Sequence, residues 1–494
     1  MVIDLIKEAL VGREFVSEHE EKDFVKFFVD KIFCDYNENY MANELKYKTQ
    51  IDSLPISLPN GTVGKDYSAT FTIPTDVATI KGIEKTEASE GLDVTHDDLG
   101  VVTITGSPVN AGDIDLIIKY TYPNWVDGKP MLERKISFSI NPDPRTLWQD
   151  IPTAKDIDYY QEDYDSDYVK VEAIDGAPQK DIVVASVRGR SHAHKGNPRD
   201  DHFLVTYDEE SHWYVMSVAD GAGSAKFSRK GSTIACETVV NLCTESLKDC
   251  SLDPLIEQYN AENTDANRKL IGDKIYGILG TAAYKAAAAI KAEAAAKDAE
   301  AKAKMAEMNA KAKELNPNAK DNTAAEITAR DFATTLLLTI CKKFQFGWFI
   351  ASFWVGDGAI CIYKKGTEDQ PSTHKILGIP DGGEFAGQTR FITMPEIFKD
   401  AAAIYSRLRF SIEEDFTALM LMTDGVSDAK FETDANLNNI DMWDALWKDL
   451  AGENEDKCEV KLEDDNEESQ YQLLKWLNFW SQGNHDDRTI AILY

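Results

Sequence analysis

Three features common in other protein classes are missing from this sequence of 494 residues. No apolar run reaches the roughly 18 residues that a transmembrane helix needs, so no membrane span is predicted. Basic residues are the minority, with 53 Lys and Arg against 85 Asp and Glu, which argues against a nucleic-acid binder because such proteins present a basic surface. The seven cysteines are an odd number without metal-binding spacing, which favours a reducing compartment over a disulfide framework.

The first residues also lack a signal-peptide pattern. Asp4, Lys7 and Glu8 stand inside the stretch that would have to be the apolar core of such a peptide, so we expect a cytoplasmic protein. The hydrophobic content of 43% and the aromatic content of 10% are ordinary for folded protein. A chain of this length is expected to form two or three domains.

The hydrophobic period changes along the first 140 residues. Residues 1–45 have the apolar spacing of a helix, and residues 46–140 alternate with period two between Gly and Pro turns, as in a small antiparallel sandwich. The strings LPNGTVGKDYSATFTI, GLDV and ITGSPVNAGDIDLIIKY resemble bacterial immunoglobulin-like repeats. That resemblance implies an immunoglobulin-like β-sandwich module that binds a partner or acts as a spacer.

The remaining residues suggest a linker and one larger domain. Residues 141–180, rich in Asp, Pro and Tyr, are predicted to be a linker, and residues 181–494 mix short strands and helices. Residues 281–315 consist mostly of Ala, Lys and Glu with opposite charges four residues apart, which predicts a helical insert. That insert is either a solvated helix or an arm that meets a partner or the active site. With the N-terminal segments, we expect it to influence partner choice.

Four acidic islands at the ends of predicted buried strands carry the chemistry. They occur in VADG, VGDG, MTDGVSD and NHDDRT, centred on Asp220, Asp357, Asp424 and Asp486. A carboxylate beside a buried strand costs free energy unless something compensates its charge. Hard divalent cations prefer clusters of carboxylate and carbonyl oxygens. The pattern therefore predicts a metal centre assembled from distant parts of one domain.

The same islands, in this order, resemble the metal-dependent type 2C Ser/Thr protein phosphatases. The matching strings are RGRSHAHKGNPRDDHFLV, VADGAGSA, FATTLLLTI, WVGDGAICIY, LMTDGVSD and GNHDDRTIAIL. The resemblance covers residues 181–494 apart from the helical insert. It implies an α+β fold, a four-layer αββα sandwich of two antiparallel sheets flanked by helices, with metals at one end. It also places a mobile flap at about residues 364–410.

The resemblance implies a role for each acidic position. Two Mn²⁺ or Mg²⁺ ions are expected, with Asp220 bridging them and the carbonyl of Gly221 binding one. Asp424 and Asp486 are expected to complete the other. The remaining assignments are a metal-water pair, Asp200 and Asp201, and ligands of a weaker third ion, Asp357 and Asp428 beside Asp424. The implied activity is phosphomonoester hydrolysis by a metal-bridging water on phosphoprotein substrates, with a bacterial protein kinase as the opposing enzyme.

Two positions depart from the family pattern. Many members have His directly after the Asp-Gly, as proposed general acid, where this chain has Ala222; His192, His194, His202 or a metal-bound water are the alternatives. The usual phosphate-binding Arg is Gly196 here. Three arginines stand nearby: Arg188, Arg190 and Arg199. We predict that Arg188 is the catalytic arginine that binds phosphate.

Other functions remain as alternatives. The chain offers no G-x-S-x-G elbow and no Cys in a phosphate-cradling C-x-x-x-x-x-R loop, so no covalent nucleophile competes with the metal reading. Ala222 and the displaced Arg favour a degenerate phosphatase acting as a binding scaffold, whereas the complete set of acidic positions opposes it. A surface adhesion protein and a small-molecule phosphatase are the further alternatives.

Overall fold

The computed structural model describes residues 18–86, 89–381 and 389–494, which fall into two compact units divided between Leu147 and Trp148. The start of the helix predicted for residues 1–45 lies outside the described residues, as do Gly382, Gly383 and Gly387 of the predicted flap. In the described part of the chain, no helix is long and apolar enough to cross a membrane.

The first unit contains one long helix and two sheets. Helix α1 spans Glu18–Asp52. One sheet has the strand order β1-β7-β6-β3 and the other β2-β5-β4. Alternate side chains of both sheets form one apolar core, as the period of two predicts. The strands are β1 (Gly61–Thr62), β2 (Tyr67–Thr72), β3 (Thr79–Lys85), β4 (Leu92–His96), β5 (Val101–Gly106), β6 (Gly112–Thr121) and β7 (Leu132–Asn141).

The second unit contains two larger sheets. The five-stranded sheet has the order β10-β11-β12-β13-β16 and the six-stranded sheet β15-β14-β17-β18-β9-β8, with antiparallel pairing throughout. The strands are β8 (Tyr164–Val169), β9 (Ile182–Val187), β10 (His202–Asp208), β11 (Trp213–Ala219), β12 (Leu336–Phe344), β13 (Gly347–Val355), β14 (Ala359–Lys364), β15 (Thr373–Gly378), β16 (Leu408–Glu413), β17 (Ala418–Met422) and β18 (Arg488–Leu493).

Helices cover these sheets. The α-helices are α2 (Arg190–Ala193), α3 (Ser228–Leu247), α4 (Asp253–Ala261), α5 (Asp265–Ile275), α6 (Thr281–Leu315), α7 (Ala401–Tyr405), α8 (Asp424–Phe431), α9 (Ile440–Leu450) and α10 (Ser469–Leu477), and Tyr276–Gly280 is a π-helical turn. Helix α6 coincides with the predicted insert. Its first half is not solvated all round, because Ala283, Ala286 and Ile290 are buried in the core.

Successive residues of the central strands belong to different cores. On β11, Tyr214 and Met216 face a core shared by both sheets. Val215 instead joins a core formed with α3 and α6. On β18, Ile490 and Ile492 pack with α8, α9 and α10. A strand that is buried on both faces has no polar face, which explains the continuous apolar runs in the sequence.

The segment predicted as a linker, residues 141–180, contributes structure to the second unit. Tyr164–Val169 pairs with β9 as the edge strand β8. Its sequence, YDSDYV, shows no apolar alternation, because an edge strand has only one neighbouring strand and its side chains here are exposed or half-buried. The prediction of a linker over residues 141–180 is therefore wrong for Tyr164–Val169.

Candidate metal centre

Asp220 stands where buried strand β11 ends, and the chain around it is held by the two threonines of the FATT motif. The Asp220 amide donates to Thr335 Oγ1 at 2.8 Å. The Asp220 carbonyl accepts from Thr334 Oγ1 and from the Thr335 amide, each at 2.8 Å. Because these contacts use backbone atoms, the Asp220 carboxylate is left for another partner.

Two further aspartates meet Asp220. Asp357 follows β13 after Gly356, and Asp424 is the first residue of α8, directly after β17 and Thr423. One carboxylate oxygen of each of the three residues lies within 4.8 Å of the others. Within the described residues, no Lys or Arg forms an ion pair with any of the three. The sequence analysis grouped Asp357 with Asp424 and Asp428; Asp428 is exposed, one helical turn beyond Asp424, and is not part of this cluster.

Asp200 and Asp201 precede β10, whose first residue pairs with the last residue of β11. Asp201 Oδ2 accepts from Thr489 Oγ1 at 2.7 Å and from Thr423 Oγ1 at 2.9 Å. In the described part of the chain, Oδ1 of Asp200 and Oδ1 of Asp201 are buried without a hydrogen-bond partner. Two buried carboxylate oxygens are thus available beside the first cluster.

Asp486 and Asp487 precede β18 and have different surroundings. Asp487 is 1% exposed and accepts from the amides of Gly189 and Asp200 at 2.6 and 2.5 Å, with His192 Nδ1 at 3.1 Å. Asp486 is 48% exposed, and its Oδ1 lies 3.8 Å from His192 Nε2. Asp487 therefore ties three loops together, whereas the Asp486 carboxylate is accessible to a ligand.

The pKa values divide these carboxylates into those whose charge the protein compensates and those whose charge it does not. Burial, then repulsion from Asp357 and Asp486, raises the pKa of Asp424 well above its ordinary value. Burial and repulsion from Asp424 do the same for Asp220. Burial also opposes ionisation of Asp487, but His192 and two amides lower its pKa. Asp487 is compensated by the protein, while Asp220 and Asp424 are not.

Two glycines allow the acidic loops to approach one another. A Cβ at Gly221 would lie 2.5 Å from the Asp200 carbonyl oxygen, and one at Gly425 would lie 1.9 Å from the Asp487 carbonyl oxygen. Any side chain at either position would separate the loops. The Asp-Gly pairs of the sequence therefore serve backbone contact as well as turns.

The three candidate arginines are placed differently. Arg188 pairs with Asp150 and Asp163 and donates to Thr153. Arg199 is fully buried and donates to Ser186 Oγ and to the Asp201 carbonyl. Arg190 donates to the carbonyls of Asn478 and Phe479. The sequence missed Arg229, whose Nη1 lies 3.6 Å from Asp200 Oδ1; no motif marks it.

The three candidate histidines also differ in their surroundings. His194 Nδ1 accepts from the Gln149 amide at 3.0 Å. Burial lowers the pKa of His202 to about 4. His192 Nε2 faces the loop that follows Asp220, since a Cβ at Gly223 would lie 3.7 Å from it. Only His192 of the three thus approaches the turn whose usual histidine is Ala222 here.

Comparison with known proteins identifies the family of this chain. The sequence model of the protein phosphatase 2C family matches residues 188–478, more than half of the chain. No curated protein sequence matches. Similar solved structures include RsbX in complex with magnesium, with 12% identity over 67% of this chain and 100% of that chain and a TM-score of 0.31.

Two further solved structures have comparable values. Serine/threonine phosphatase Stp1 from Staphylococcus aureus has 11% identity over 66% of this chain and 98% of that chain, with a TM-score of 0.32. Serine-threonine phosphatase 2C from Toxoplasma gondii has 10% identity over 67% and 98%, with a TM-score of 0.35. The family assignment comes from the sequence match: the chain belongs to the protein phosphatase 2C family and is a phosphoprotein phosphatase.

Proposed function

We propose that the second unit hydrolyses phosphoserine and phosphothreonine esters in proteins through a binuclear Mg²⁺ or Mn²⁺ centre. The observation that supports this most is the cluster of Asp220, Asp357 and Asp424, which gathers three uncompensated carboxylates at the ends of buried strands. We also propose that the two sheets and their helices form the four-layer sandwich of the family.

The residues present fit a divalent cation. Oxygen ligands with at least three negative charges suit Mg²⁺ and Mn²⁺. Buried oxygens of Asp200, Asp201 and Asp357 have no hydrogen-bond partner among the described residues, and a cation would satisfy them. The proposed ligands are Asp220, the Gly221 carbonyl, Asp424 and Asp486, with Asp200 and Asp201 beside them and Asp357 and Asp428 for a third ion.

Each neighbouring residue has a defined task. Thr334 and Thr335 fix the backbone at Asp220, and Thr423 and Thr489 orient Asp201. Divalent cations held there would supply Lewis-acid polarisation of phosphoryl oxygens and lower the pKa of water. Arg188 remains our prediction for the phosphate contact; its guanidinium would exchange Asp150 or Asp163 for phosphoryl oxygens.

The alternative function, a binding scaffold without catalysis, does not explain the clustered carboxylates. A binding protein that holds no cation gains nothing from carboxylates that repel one another, whereas an enzyme that loads cations needs them. The phosphatase is therefore the better reading, and a protein kinase acting on the same substrates is the partner that we propose for it.

We predict that the purified chain hydrolyses p-nitrophenyl phosphate only with Mn²⁺ or Mg²⁺ present. A chelator should abolish turnover, and added Mn²⁺ should restore it, because the acidic cluster otherwise lacks compensating charge. Phosphopeptides and small phosphorylated metabolites, compared at equal concentration, test the substrate class. Turnover that persists in chelator would contradict the proposal, and folded protein that binds Mn²⁺ without turnover would favour the scaffold.

We predict that His192 assists the leaving group, since its Nε2 faces the turn that carries Ala222. His192→Gln should slow hydrolysis of a phosphoserine peptide by about 100-fold or more, in the range for loss of a general acid. p-Nitrophenyl phosphate should be slowed much less, because its leaving group needs no proton. His194→Gln is the matched control. Equal losses on the two substrates would assign His192 to holding Asp487 instead.

A further inference from the structure

Residues 389–392 contact the surroundings of two of the three clustered aspartates. The Thr389 hydroxyl donates to Asp357 Oδ2. Three residues later, the Ile392 amide donates to the Thr334 carbonyl at 2.9 Å, and Thr334 Oγ1 donates to the Asp220 carbonyl. This short segment therefore touches Asp357 directly and reaches Asp220 through one residue.

Asp381 holds the segment in place. Its amide donates to the Gly356 carbonyl at 2.9 Å, next to Asp357. Its Oδ1 lies 3.3 Å from Arg390 Nε, and its Oδ2 pairs with Arg407. Because Asp381 and Arg390 are both fixed beside Asp357, the position of Thr389 is determined by contacts on each side of it.

We infer that Thr389 is a positioning residue that sets the orientation of Asp357 as a metal ligand. A carboxylate has two oxygens, and the Thr389 hydroxyl engages Oδ2. In the described chain, Oδ1 is buried with no hydrogen-bond partner. The hydrogen bond to Oδ2 limits rotation of the carboxylate, so that its orientation towards Asp220 and Asp424 is fixed. This inference rests on the proposed function and assigns to residues 389–392 a part in metal binding.

The size of the effect follows from other metal sites. Removing a hydrogen bond to a ligating side chain lowers metal affinity by about 10- to 100-fold. Thr389→Val keeps the shape of the side chain and removes the hydroxyl. Thr389→Ser keeps the hydroxyl. Thr417→Val makes the same change at a threonine outside the acidic cluster, whose hydroxyl accepts from the Lys365 amide.

The test is a Mn²⁺ titration of metal-stripped full-length protein, with free Mn²⁺ followed by its electron paramagnetic resonance signal. Thr389→Val should weaken at least one Mn²⁺ site by that factor, while Thr389→Ser and Thr417→Val should bind as the wild type does. Thr389→Ala is the second hydroxyl deletion, and the melting temperature of each metal-free variant shows that it is folded.

Each outcome is decisive. Wild-type affinity in both Thr389→Val and Thr389→Ala would overturn the inference while leaving the phosphatase intact. Weak binding by Thr389→Ser, despite its hydroxyl, would overturn it as well. Wild-type protein that binds no Mn²⁺ would instead contradict the proposed function itself.

Discussion

Asp424→Asn is expected to abolish Mn²⁺-dependent hydrolysis and, at the same time, to stabilise the metal-free protein. Asp424 is repelled by Asp357, Asp486 and Asp201, which together with burial raise its pKa well above the ordinary value. Loss of one preorganised electrostatic group at a reaction centre costs about 100-fold or more in rate. Asparagine fills the same space without the charge, so the ligand is lost while the repulsion is relieved.

The sign of the stability change depends on pH. A carboxyl group whose pKa is raised by folding costs stability wherever the unfolded chain ionises it, and costs nothing at a pH low enough to protonate it in both states. The gain from Asp424→Asn should therefore be largest at neutral pH and should disappear in acid.

Thermal unfolding of the metal-free protein, followed by tryptophan fluorescence at pH 7 and in acid, measures this effect. The control is Asp369→Asn, which removes the same charge from an exposed loop and should change neither stability nor turnover. Full turnover in Asp424→Asn would remove Asp424 from the proposed ligands. A lower melting temperature at neutral pH would contradict the explanation by repulsion.

Asp487→Ala is expected to have the opposite effect on stability, although the two aspartates belong to the same site. The Asp487 carboxylate accepts from the Gly189 and Asp200 amides and pairs with His192. Burial opposes the charge of His192, but Asp487 and its neighbouring carboxylates raise the pKa of His192 to about 10, so this imidazole is a cation at neutral pH. Truncation would remove the acceptor of two buried amides and the main counter-charge of that cation. Removing one member of such a buried pair costs about 3–5 kcal/mol.

The same unfolding measurement distinguishes the two residues. Asp487→Ala should lower the melting temperature by about 6–10 °C, taking about 2 °C for each kcal/mol in a domain of this size. The melting temperature of Asp487→Asn should lie between those of the wild type and Asp487→Ala, since the asparagine amide retains one acceptor oxygen for two backbone donors. A small effect of Asp487→Ala would mean that water replaces the carboxylate and that the three loops are held by other contacts.

The sequence predicted the parts of the site that belong to single strands. An apolar run followed by Asp-Gly locates the end of β11 at Asp220 and the end of β17 near Asp424, because a buried strand stops where a carboxylate must reach solvent or a cation. The order of these motifs also predicted the family and the enzyme class, both of which are confirmed. The individual ligand assignments stay predictions.

Contacts between distant segments could not be predicted from local sequence patterns. The approach of Asp357 to Asp220 depends on the pairing of β12 with both β11 and β13, which no single segment encodes. Thr389 stands outside every motif, yet it contacts Asp357 across 32 residues. For the same reason, the fixed partners of Arg199 and Arg188 were not foreseen, since both arginines bind segments that the sequence presents as loops.

The position of β18 has a consequence for synthesis of the chain. This strand, Arg488–Leu493, lies between β9 and β17 in the six-stranded sheet and follows directly on Asp486 and Asp487. Ribosomes add about 5–20 residues per second, so β9 waits roughly 15–60 s for this neighbour. During that time, one edge of β9, whose residues are all buried in the folded protein, is open to chaperones and to aggregation. If Asp486 is a metal ligand as proposed, the sheet and the acidic centre are completed together, and we expect chains that end before β18 to show no phosphatase activity.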